Sequence, residues 1–145
     1  MCQLHQSYID KSEENWRCAT DLYEKNCTYP DVIASRMYYS MFLLIKGEMV
    51  ANNENSSMPD YMKMADDAST GVHDLARQYI NNYLVQSTND LRLGRNWSRL
   101  VSLRVKADYK RQPVENAEIQ NIYETWQGIR ERWMANITQK RRISA

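Results

Sequence analysis

From Met37 to Ile45 the chain reads M-Y-Y-S-M-F-L-L-I, a run with no charged residue. Wound at ~3.6 residues per turn, its apolar side chains point nearly all the way round. Such a helix has no face to give to water and belongs in the middle of a bundle. The same run is far short of the ~20 residues that a membrane span requires. Arg36, Ser40, Leu43 and Gly47 fall along one line of this helix. The small Ser40 and Gly47 there let a neighbouring helix approach closely.

The rest of the chain supports the same fold class. Breakers are scarce: Gly47, Gly71, Gly94 and Gly128, with Pro30, Pro59 and Pro113. Few punctuators in a 145-residue chain mean few, long elements. No alternating strand pattern bounded by turn residues is found. The reading is a single all-α domain over residues 1–145, an up-and-down bundle of about five helices. They run from about Leu4 to Lys25, Asp31 to Ala51, Gly71 to Val85, Asn89 or Asp90 to Lys110, and Val114 to Lys140. Pro30 suits the first helical position of the second helix, and Asp31 its first turn. A polar connection covers about 52–68 and carries Met58, Met62 and Met64. A frayed basic tail is expected at about 140–145.

The fourth helix carries the candidate chemistry. At ~100° per residue, Leu93, Trp97, Leu100, Val101 and Val105 share one apolar face. Arg104 and Asp108 fall inside that face, four residues apart. Burying either alone is costly, so they must pair or line a polar groove. Two readings stand: an ion pair that fixes helix register, or a functional groove. Tyr109 sits at the border of the face. Opposite it, Arg92, Arg95, Arg99, Lys106 and Lys110 form one basic line. That line is either a solvated outer face or a surface for a phosphate backbone.

Three stretches resemble the HEPN domain family in order and spacing: SRMYYSMFLLIKGEM (35–49), STGVHDLARQYI (69–80) and LRVKADY (103–109). The resemblance covers roughly residues 7–135. It is nearest to a stand-alone subgroup with an S-R-x-Y-Y-x-M-F helix and an R-x-x-x-D-Y motif. It implies a helical bundle, usually a homodimer, often beside a nucleotidyltransferase. Many members are metal-independent ribonucleases of toxin–antitoxin or phage-defence systems; others bind RNA or a nucleotide, or serve as non-catalytic partners. In the nucleolytic members four to six residues separate an arginine from a following histidine. The arginine stabilises charge on the phosphate and the histidine moves the proton. Carried onto this chain, the arginine is Arg104, and the histidine positions fall on Tyr109, Lys110 and Arg111. The subgroup generally lacks the histidine. An unperturbed tyrosine, with pKa near ~10, is a poor base at neutral pH. The chain has only two histidines, His5 and His73, and His73 on the third helix is the weaker candidate to replace it.

Three functions follow as expectations. The first is a non-catalytic HEPN-type module that binds RNA or a nucleotide around Arg104, Asp108 and Tyr109. The second is a metal-independent ribonuclease toxin using those residues, with His73 as a further candidate. The third is a structural helical partner or adaptor. The formal net charge of +1 gives no global steering toward nucleic acid or membrane, so binding depends on the local basic line. The partner expected is a second copy, a nucleotidyltransferase antitoxin or a defence effector. No cofactor or metal is expected: there is no glycine-rich phosphate loop and no ligand cluster. Cys2, Cys18 and Cys27 are odd in number and match no zinc or redox spacing. With no apolar signal segment at the N-terminus, the chain reads as cytoplasmic, its thiols free.

Overall fold

The computed structural model describes residues 3–53 and 72–144. Most of the polar connection, with its three methionines and Pro59, lies outside the described residues. Five helices make an all-α bundle, and no strand occurs among the described residues. No helix of the described residues is long and apolar enough to cross a membrane.

Helices α1 (Gln3–Glu24) and α2 (Pro30–Asn53) form an antiparallel hairpin. Ile9, Ser12, Trp16 and Ala19 of α1 recur at helical spacing and are buried, with Trp16 stacked on Tyr123 of the last helix. The partners run in opposite order: Tyr8 lies under the Lys46 ammonium, Ser12 meets Ser40, and Asn15 accepts from Arg36. Ser40 donates to the Ser12 carbonyl at 2.7 Å, so its small size brings the two backbones close. The connecting turn places Asn26, Cys27 and Tyr29 at positive φ. Such a backbone costs roughly 1–2 kcal/mol per non-glycine residue. The Cys27 and Thr28 N–H groups reach back to Tyr23 and Leu22 carbonyls, and the Cys27 side chain is buried. These gains oppose that cost.

Along α2, Ile33, Met37, Tyr38, Met41, Leu44, Ile45 and Met49 are almost completely buried. This is the central helix that the charge-free run requires. Its second neighbour is α4 (Leu93–Tyr109), rather than α5 (Asn116–Ser144). Between them, α3 begins as Val72–Tyr79, widens into a π-turn at Ile80–Leu84 and closes with one α-turn at Val85–Ser87. Leu75, Ala76, Tyr79, Ile80 and Leu84 are buried along it. Where α4 crosses the π-turn, a Cβ on Gly94 would meet the Asn81 carboxamide at 2.5 Å, so glycine permits the close crossing.

Helix α4 differs from its sequence reading in two ways. It starts at Leu93 with Arg92 as the preceding residue and no side-chain cap. Asn89 and Asp90 instead form the turn before it, with Asn89 at positive φ and Asp90 accepting the Arg92 N–H. The buried line is Leu93, Trp97, Leu100 and Leu103, with Val101 and Val105 on its flank. That line packs mainly on α2, and α5 has the buried stripe Ile119, Tyr123, Trp126, Ile129, Arg130, Trp133 and Ile137. Trp97 links the layers, stacked on Tyr38 at 5.5 Å and edge-on to Trp126 at 6.0 Å. Helix α5 continues through Ser144, past its expected end near Lys140.

Candidate functional site: a tyrosine-ringed arginine

Arg104 follows Leu100 by four residues and Trp97 by seven, which sets it on the buried line of α4 one turn before the helix ends. The side chain is largely buried, 13% exposed. Three rings surround its guanidinium carbon: Tyr38 at 5.1 Å, Tyr39 at 5.5 Å and Tyr109 at 5.1 Å. Each is within cation–π range. One terminal nitrogen donates to the Tyr39 hydroxyl at 3.0 Å and to the Tyr109 hydroxyl at 3.3 Å. The Nε lies 3.0 Å from Asp108 Oδ2. Its hydrogen is not aimed at a partner, so the attraction to Asp108 is Coulombic rather than an aligned hydrogen bond.

Electrostatics follow from this packing. Burial opposes the Arg104 charge, but the Tyr39 hydrogen bond and the surrounding phenol oxygens outweigh it. The guanidinium is held above the ordinary arginine range. Burial also pushes the Tyr38 phenol well up, against the opposing pull of Arg104. The site is thus a permanent cation in a partly dry aromatic setting. Tyr109, the last residue of α4, is 69% accessible, and Asp108 beside it is 27% exposed.

The structure brings Arg104, Asp108 and Tyr109 into contact. The side chain of His73 lies outside the described residues, although its backbone belongs to α3. Arg92, Arg95, Arg99 and Lys110 are exposed, the last just beyond the helix in extended backbone. Lys106 is engaged: its ammonium sits 2.6 Å from Glu118 of α5. The hydrogen bond to Glu118 raises the Lys106 pKa, and the same bond holds the Glu118 carboxyl below its ordinary range. Beside the tyrosine ring, Val101 and Val105 floor an open groove of about 760 Å³ edged by Lys106, Lys110 and Arg111. Among the described residues no three His, Cys, Asp or Glu side chains converge as a metal site would need.

Sequence reading misses Tyr38 and Tyr39 as part of this site, because they sit inside a run that reads as core. The available signal is the tyrosine pair itself, since a buried phenol requires a hydrogen-bond partner. It also misses Arg130, which interrupts the buried stripe of α5 just as Arg104 interrupts that of α4. The Arg130 guanidinium bonds Glu13 of α1 and lies 5.5 Å over the Trp16 ring. Compared with family models, curated proteins and solved structures, the chain matches none.

Proposed function

We propose that this protein is a HEPN-type module that binds RNA or a nucleotide through the Arg104 cluster and its basic rim, without cleaving it. The observation that carries the reading is a largely buried cation in an apolar helix face, packed against the ring of an exposed tyrosine. An arginine in such a setting attracts phosphate strongly because little solvent screens it. The exposed Lys110 and Arg111 and the line Arg92, Arg95 and Arg99 add sequence-independent backbone attraction. Binding rather than cleavage is favoured because tyrosine, lysine and arginine fill the histidine positions that follow Arg104. The biological setting we infer is a prokaryotic toxin–antitoxin or phage-defence system. There the module acts as a homodimer or beside a nucleotidyltransferase or defence effector.

One observation favours a second reading, a structural helical partner. The Arg104 guanidinium makes its polar contacts internally, to Asp108, Tyr39 and Tyr109. The two readings separate in one experiment. Fluorescence anisotropy with a labelled RNA, run beside a cleavage assay in EDTA, compares wild type with Arg104→Ala. The binding module retains RNA intact and loses about tenfold or more in affinity with Arg104→Ala, the worth of a charge-assisted contact. The structural partner binds RNA no better than its variant. Turnover in EDTA that disappears with Arg104→Ala would instead establish a ribonuclease.

A further inference from the structure

At the other end of α4 from the tyrosine ring, the corner between α3 and α4 leaves a cavity of about 320 Å³ against α5. Leu93, Ile129 and Trp133 make its floor, all nearly fully buried. Asp90, Thr88 and Asn136 stand at its edge, with Arg132 across the mouth. We propose that this cavity is a binding site for a small organic cation, an amine carried on a flat apolar body. The proposal is independent of the RNA reading.

The size is at the lower end of small-molecule sites, and an apolar floor with a few placed polar groups is their usual composition. The charge preference comes from Asp90. One carboxylate oxygen accepts the Arg92 N–H at 3.0 Å and is fixed by it. The other lies 3.8 Å from the Arg132 guanidinium. That distance is the outer limit of an ion pair and too long for a hydrogen bond. Arg132 is 68% exposed there while Asp90 is 24% exposed, so a partly desolvated carboxylate holds a loose, solvated partner. Loose surface pairs contribute little and are displaced at small cost. An ammonium entering the cavity reaches the carboxylate at hydrogen-bonding distance, and its apolar body covers Leu93, Ile129 and Trp133. The Thr88 hydroxyl already donates to the Leu84 carbonyl, which leaves its oxygen as an acceptor for a second N–H. A carboxylate ligand would face Asp90 without compensation.

Isothermal titration of the 145-residue chain with tryptamine tests this, with indole-3-acetate as the same ring carrying the opposite charge. We expect tryptamine to bind at a single site and indole-3-acetate to bind about tenfold more weakly or worse. Asp90→Asn keeps an acceptor for the Arg92 N–H and should cost about tenfold in tryptamine affinity. Arg132→Ala should tighten binding by removing the competing cation, an outcome that a purely structural Asp90–Arg132 pair does not produce. Ala135→Trp, grown into the cavity from its exposed position on α5, should abolish it. No heat with millimolar tryptamine, equal binding of the two probes, or indifference to Asp90→Asn overturns the proposal.

Discussion

The molecule carries two arginines on the buried stripes of helices, and they are held in different ways. Arg130 reaches from α5 to Glu13 on α1 and packs over Trp16. Its ion pair joins residues 117 positions apart, so it ties the last helix to the first. Arg104 finds its carboxylate one turn further along the same helix. That pair joins nothing that the helix does not already join. The tertiary partners of Arg104 are neutral phenols, Tyr39 from α2 and Tyr109 at the end of α4. Both arginines keep a buried Nε without an aligned acceptor. The difference teaches that an arginine in an apolar face is not by itself a mark of function. What matters is whether its charge is spent on holding helices together or is balanced locally at an edge of the bundle.

Four expectations sharpen or break this contrast. The largest effect belongs to Glu13→Ala, which strands Arg130 with 9% of its side chain exposed. It should destabilise the fold by about 3 kcal/mol, toward the low end for a buried pair because Glu13 is partly solvated. Urea unfolding measures this, and a loss no larger than that of a surface substitution would remove the structural role given to Arg130. The second is Asp108→Ala. Asp108 is 27% exposed, and two phenols still accept from Arg104 after its loss. The cost should be about 1–2 kcal/mol, below the ~3–5 that a fully buried pair commands. Under the proposed function, RNA affinity should rise in this variant, since a competing anion is gone; a fall would reverse the assignment of Arg104.

The third expectation compares phenols. Tyr39→Phe removes the shorter hydrogen bond from the part-buried side of Arg104 and should cost about 1 kcal/mol. Tyr109→Phe, at an exposed position, should stay within about 0.5 kcal/mol. Equal costs in thermal melts would show that the ring is not anchored from the α2 side. The smallest effect is pH-dependent. Glu118 is held below its ordinary range by the Lys106 hydrogen bond, so its contribution to stability is complete above the unfolded-state pKa. It is lost as pH falls through the lower folded-state value. Glu118→Gln should therefore flatten the acid limb of stability from the ordinary glutamate pKa downward, and an unchanged limb would show the bridge to be inert.

Half of this contrast is legible in the amino-acid sequence. Arg104 and Asp108 are readable as a pair because an i, i+4 spacing on a helix brings side chains together whatever surrounds them. The basic line of α4 is readable for the same reason. The central position of α2 follows from having no polar face to expose. Val101 and Val105 read as core but stand on its flank, because residue type alone does not say where a neighbouring helix sits. The buried line runs through Leu103 instead.

The sequence by itself determined the all-α class, the central helix and every contact that lies within one helix, because these depend only on residue type and helical period. The tertiary structure decided which tyrosines surround Arg104, that Lys106 is engaged by Glu118, and that Arg130 belongs to Glu13. It also decided the π-turn at Ile80–Leu84. These depend on how helices cross and at what register, which is set by the packing of the whole core and not by any local spacing.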